Sequence, residues 1–267
     1  MNQRVSVDVA EHVATVKLDR AEKNNAVDRA MFEALIEAGE SLRNDASIRV
    51  VVLHGEGRNF CAGIDISVFQ GEGGITGNGA PMQPRGTSPA NFFQSAAYVW
   101  RELPVPVIAA VEGYAFGAGL QIALAADIRY AAPDAQLSIM EIKWGIMPDM
   151  AISTTLRDVM PVDRIKELAY TGRILGGHAA AALGLVTRVE ADPVQAANAL
   201  AAEIASRSPH AIRAIKRLIN ESWQELPEAA LRREAELQMT LLGSPNQLEA
   251  VMANLHKRNP DFRDPMS

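Results

Sequence analysis

The chain has one cysteine, Cys61, in 267 residues, and only 5% of its residues are aromatic. A single thiol excludes an internal disulfide framework and fits a reducing compartment. Beside Ala62 and Gly63, Cys61 reads as a small buried side chain and not as a nucleophile. His12, His54, His178, His210 and His256 are scattered with no pair at metal-ligand spacing, so no metal site and no histidine-based triad is expected. There is no G-x-S-x-G elbow. The net charge of -6 and a pI near 5.5 speak against nucleic acid as a partner. The one local basic block, Arg213-Ala214-Ile215-Lys216-Arg217, reads as the solvated face of a helix. No apolar run reaches the roughly 18 residues of a membrane span. Met1-Asn2-Gln3-Arg4 leads into a strand pattern with no apolar signal core, so the cytoplasm is the expected location.

What is present is enough apolar residue, 48%, for a core that needs no staple. Val5 to Leu18 alternates around Ala10-Glu11-His12 like a half-buried hairpin. Asp28 stands as the N-cap of an amphipathic helix to Leu42, with Met31, Leu35, Ala38 and Leu42 on one stripe. Strands follow at Val50 to Leu53, Val105 to Val111, Ile128 to Tyr130 and Gln136 to Ile139, with an Ala-rich helix at Leu120 to Ala126. Strand and helix therefore alternate, the pattern of an α/β fold. After Ala191 the pattern becomes helical only, at Val194 to Ser206, Pro209 to Trp223, Pro227 to Leu242 and Pro245 to Lys257, with prolines at the joints. The division expected is a core over 1–190 and a helical region over 191–267. Between Phe69 and Pro89, Gly and Pro are too dense for regular structure, and the stretch is long enough for an active-site lid.

Two glycine-bearing segments, Asn59-Phe60-Cys61-Ala62-Gly63-Ile64-Asp65-Ile66 and Gly113-Tyr114-Ala115-Phe116-Gly117-Ala118-Gly119, each follow a strand-like run and lead toward helix. Each alone marks a tight turn; together they are able to aim two backbone N–H groups at one developing negative charge. A dinucleotide fold is a rival reading of Gly117-Ala118-Gly119, but Ile122 stands where that fingerprint requires its third glycine. Glu141, among Ile, Met and Trp residues, is placed to have a raised pKa and so to take and return a proton. Pairing with Lys143 or with an arginine at the surface is the alternative. Asp149 either shares a site with Glu141 or caps a helix over Ile152 to Val159.

With these residues in hand, the chain resembles the crotonase superfamily, the enoyl-CoA hydratases and isomerases, over nearly its whole length. The blocks that carry the resemblance are Leu18 to Ala26, Phe60 to Ile66, Gly113 to Gly119 with Ala126-Asp127-Ile128, Thr171-Gly172-Arg173 with Gly184-Leu185-Val186, and Ser208-Pro209 with Lys216-Arg217-Leu218. The resemblance implies a crotonase-like spiral of β-β-α units with a helical C-terminal region that mediates a homotrimer or a dimer of trimers. It implies an acyl-CoA thioester as substrate, with coenzyme A entering only as part of that substrate and no separate cofactor. The oxyanion donors fall on the N–H groups of Ile64 and Ala118. The CoA-binding edge falls on Glu22, Lys23, Asn24, Ala26, Ala62, Asp65 and Ile66, with Lys257 or Arg258 toward the nucleotide phosphates. Of the two hydratase glutamates the second falls on Glu141, while the first is Gln121, which orients water but accepts no proton at neutral pH. That difference favours double-bond isomerisation, in which one base moves a proton from carbon 2 to carbon 4. Asp149 stands where dienoyl-CoA isomerases carry an acid, while Gln121 stands where they have a third, so the chain matches neither specialist pattern completely. Hydration of a 2-enoyl-CoA, and acyl-CoA binding without turnover, are the alternative functions.

Overall fold

A computed structural model of the chain describes residues 4–69, 82–86, 88–157 and 159–265. The N-terminal alternation folds as β1 (Val5–Ala10) and β2 (Val13–Leu18), an antiparallel hairpin. Its two turn residues, Glu11 and His12, both have positive φ, the turn geometry that matches strand twist. Four strands then join in parallel: β3 (Val50–Gly55), β4 (Val107–Val111), β6 (Ile128–Ala131) and β9 (Arg188–Val189), giving the order β1-β2-β3-β4-β6-β9. A second sheet holds β5 (Tyr114–Phe116), β7 (Gln136–Ser138) and β8 (Leu175–Gly176). Cys61 joins its edge through a parallel bridge to Ala115.

Each turn of the chain thus places one strand in the large sheet, one in the small sheet, and then a helix. The helices are α2 (Phe92–Glu102) after β3 and Cys61, α3 (Ala118–Leu124) after β4 and β5, and α5 (Val162–Thr171) after β6 and β7, the last preceded by the short α4 (Ile152–Thr155). These are the expected β-β-α units.

Strand periodicity divides the core. Val51 and Leu53 of β3 and Val107, Ala109 and Val111 of β4 point into a cluster with α1 (Arg29–Arg43), α2 and α3, where Phe32, Trp100 and Leu120 are buried. Val50, Val52, Ile108 and Ala110 point to the opposite face, against Ala197, Ala201 and Ala205 of α7 (Pro193–Ala205). The chain is helical again in α8 (Pro209–Ser222), α9 (Pro227–Leu241) and α10 (Pro245–Leu255), each with Pro in its first turn. Asp28 caps α1 as expected, accepting from Met31 N–H at 2.8 Å. Helices α2, α5 and α6 (Gly177–Ala182) had no counterpart in the sequence reading. Within the Gly/Pro-rich stretch read as a lid, residues 70–81 and 87 lie outside the described residues. No described helix is long and apolar enough to cross a membrane.

The basic block on α8 is not wholly solvated. Lys216 is 8% exposed, and its Nζ donates to Val105 O (2.9 Å), Trp100 O (3.4 Å) and Asp127 Oδ2 (2.8 Å). The chain leaving α2 has carbonyls that its own helix does not satisfy, and the lysine supplies the donors. Burial pulls the Lys216 pKa down while Asp127 holds it up. Lys216→Ala strands a partly buried carboxylate and two carbonyls, and should lower the unfolding free energy by about 3 kcal/mol, measured by urea denaturation at fixed protein concentration.

Candidate active site

The two glycine segments meet side by side. Cys61 N–H donates to Tyr114 O at 2.8 Å and Phe116 N–H donates to Cys61 O at 3.0 Å, so the first segment lies along β5. On its other side Val27 N–H donates to Gly63 O (2.8 Å) and Asp65 N–H to Val27 O (3.0 Å). Strand alternation then turns the Ile64 N–H away from Val27. Among the described residues no acceptor takes it, and none takes the N–H of Ala118, the first residue of α3. The approach is close: a Cβ on Gly63, at φ +94, would stand 2.8 Å from Phe116 O and 3.9 Å from Ala118 N. Only glycine allows both that conformation and that contact.

Two clefts join at these donors. One, of about 310 Å³, is lined by Glu22, Lys23, Asn24, Ala26, Ala62, Asp65 and Ile66. Every residue expected at the CoA edge therefore faces one cavity. The other, of about 670 Å³, is mostly apolar, with Phe32, Phe93, Ile142, Met147 and Met150 in its wall beside Gln121 and Asp149. Ile64, Ala118, Glu141 and Ile146 line both. A larger cleft of about 710 Å³, between the end of α2 and helices α8 and α9, contains none of the expected site residues. Lys257 and Arg258 line neither of the joined clefts, and the Arg258 guanidinium is bound to Glu249. Asp65 lines the first cleft with its carboxylate engaged: Ser67 and Arg20 hold its pKa down to about 2.

Glu141 opens a short 3₁₀ turn (Glu141–Trp144) and is 7% exposed. It does not pair with Lys143, whose ammonium sits over the Trp144 ring. Its Oε1 accepts from Gln121 Nε2 at 2.6 Å, while Gln121 Oε1 accepts from Met150 N–H at 2.8 Å. The backbone donor at Met150 fixes which way the amide points, so Gln121 presents N–H and not oxygen to the carboxylate. Glu141 Oε2 is buried and, among the described residues, has no hydrogen-bond partner. Gly117, at φ +50, lies against this carboxyl, with a Cβ there 3.3 Å from Oε1. Burial raises the Glu141 pKa and the Asp149 charge adds to it, opposed by the backbone N–H groups at Glu141 and Met140 and by the Gln121 hydrogen bond. Burial raises the Asp149 pKa as well. The helix that Asp149 was read as capping is shorter, Ile152–Thr155; its N-cap is Ala151, in the left-handed region, with no side-chain cap bond. Asp149 is instead free to border the apolar cleft and act on Glu141 by its charge. Burial pushes the Cys61 thiol up to about 12, as a buried structural thiol requires. Among the described residues no group of three His, Cys, Asp or Glu is placed to hold a metal ion.

The fold and this convergence of a buried carboxylate with two open clefts mark the chain as an enzyme of the crotonase type. It belongs to the enoyl-CoA hydratase/isomerase family, whose sequence model matches residues 8–265. It is 32% identical over 264 residues to a probable enoyl-CoA hydratase of Bacillus subtilis (strain 168), covering 97% of this chain and 98% of that protein. It is 32% identical over 262 residues to the mitochondrial Delta(3,5)-Delta(2,4)-dienoyl-CoA isomerase of Mus musculus, covering 93% of this chain and 78% of that one. Among solved structures, an enoyl-CoA hydratase from Bacillus anthracis superposes with a TM-score of 0.85 at 30% identity, covering 97% of this chain and 99% of the other.

Proposed function

We propose that the protein is an enoyl-CoA isomerase in which Glu141 alone carries the proton. The single observation that carries this reading is the Gln121 amide: pinned by Met150, it donates to Glu141 and has no basic atom left to activate water. The thioester lies at the junction of the clefts, with the nucleotide arm along Glu22 to Ala26 and Ala62 to Ile66 and the acyl chain in the apolar cleft. Its carbonyl oxygen accepts from Ile64 and Ala118 N–H. Glu141 Oε2, unpartnered and buried, removes a proton from carbon 2, the two N–H groups stabilise the enolate, and the carboxyl returns the proton at carbon 4. Burial, with a smaller contribution from the Asp149 charge, keeps Glu141 a stronger base than an ordinary carboxylate.

Coenzyme A is required only as part of the substrate. Residues 191–267 serve as the assembly region of a trimer or a dimer of trimers; the exposed apolar side chains of α8, α9 and the turn between them, including Trp223, Leu226 and Met239, support this. The curated relatives include proteins named for hydration as well as for isomerisation, so hydration is the second reading, with Asp149 as the other acid.

The test is proton NMR in deuterated water with a medium-chain 3-enoyl-CoA and, separately, a 2-enoyl-CoA. Conversion of the first to the 2-enoyl isomer with no 3-hydroxyacyl product is the expected result. Hydroxyacyl product would establish hydration instead, and binding without turnover of either would leave an acyl-CoA-binding protein.

A further inference from the structure

Both donor segments pass through one side chain that the chemistry itself does not touch. Asn59 opens the first segment. Its Nδ2 donates to Asn24 Oδ1 at 2.9 Å, reaching a turn that lines the first cleft. Its Oδ1 accepts from Tyr114 N–H at 3.0 Å, reaching the start of β5, which runs on through Phe116 to Ala118. Its main-chain O accepts from Nδ2 of the buried Asn25 at 2.7 Å, and Asn25 Nδ2 also donates to Glu56 O. The chain is shaped around this contact. Asn24 and Asn25 are consecutive left-handed residues, and Gly113, at φ +53, lies so close that a Cβ there would stand 2.2 Å from Asn59 Oδ1.

We propose that Asn59 is the positioning residue for the two backbone donors, tying the Asn24 turn to the Gly113–Tyr114 turn and so setting the spacing between the N–H groups of Ile64 and Ala118. The proposal rests on those groups being the thioester's oxyanion donors. The two halves of the amide have separable duties. The Oδ1 bond holds the strand that ends at Ala118, so its loss lets that donor drift and weakens stabilisation of the enolate, a loss in kcat. The Nδ2 bond holds the Asn24 turn against the cleft that takes the nucleotide arm, so its loss raises KM.

The experiment compares wild type, Asn59→Ala and Asn59→Asp in steady-state kinetics, with the infrared stretch of a carbonyl-¹³C-labelled acyl-CoA bound to each and with the melting temperature of each. In wild type, donation from both N–H groups shifts the carbonyl stretch to lower frequency than in free thioester. Asn59→Ala should lose most of that shift and about tenfold or more in kcat while remaining folded. Asn59→Asp keeps the acceptor for Tyr114 N–H and loses the donor to Asn24; it should retain the shift and most of kcat and show a raised KM. A wild-type shift that Asn59→Ala leaves intact, with kcat unchanged, overturns the positioning role. Equal losses in Asn59→Ala and Asn59→Asp overturn the division of duties. No shift in wild type overturns the donor assignment itself, a different failure from either.

Discussion

Glu141→Gln should reduce turnover by roughly 10²–10⁴-fold while acyl-CoA binding, read by isothermal titration, stays near wild type. The amide keeps the shape of the carboxyl and can still accept from Gln121, but no basic oxygen remains at the position of Oε2. In wild type the rate should rise with pH through the raised Glu141 pKa, because only the ionised form is a base. Stability should run the other way. Unfolded, the group has an ordinary carboxylate pKa; folded, burial lifts it, so between the two values the native chain still holds a proton that the unfolded chain has released. Stability falls as pH rises through that window, and the full cost is present above it. Glu141→Gln should therefore melt higher than wild type at neutral pH, with the gap closing below the ordinary carboxylate range. Unchanged turnover would remove Glu141 from the mechanism.

Ala118→Pro should cost about 10²–10³-fold in kcat with little change in melting temperature. Ala118 is the first residue of α3, the one helical position at which proline's fixed φ suits the backbone and its missing N–H breaks no helix bond. The substitution therefore deletes the donor proposed to face the thioester oxygen while sparing the fold. A hydrophobic substitution at the same place, Ala118→Val, keeps the N–H and serves as the control for added bulk. If proline and valine reduce kcat alike, bulk and not the donor is responsible.

Much of this was legible in the chain because its signals are local. Pro209, Pro227 and Pro245 at the joints announced α8, α9 and α10, and Asp28 announced α1. The alternating apolar residues from Val5 to Leu18 declared the hairpin of β1 and β2. The two glycine segments were recognisable because only glycine tolerates the backbone at Gly63 and Gly117. What escaped depends on partners far along the chain. Helix α2 has a full capping box, Asn91 with Gln94, but the Gly/Pro-rich stretch before it obscured the start. Lys216 looked solvated because its acceptors, Trp100, Val105 and Asp127, lie in other elements. The Gln121 side chain was visible as a departure from two glutamates, yet its orientation is set by the backbone of Met150, which no spacing rule reveals. Asp149 read equally well as a cap until the helix proved to begin after Ala151.

The most direct measurement follows the proton. A 3-enoyl-CoA carrying deuterium at both carbon 2 positions is converted in ordinary water, and the product is examined by NMR and mass spectrometry for label at carbon 4. A single base buried at 7% exposure exchanges slowly with solvent, so the mechanism predicts that a measurable share of the deuterium removed from carbon 2 reappears at carbon 4. Product with only solvent hydrogen at carbon 4, accompanied by 3-hydroxyacyl-CoA, would contradict it and place a second acid or an activated water in the site.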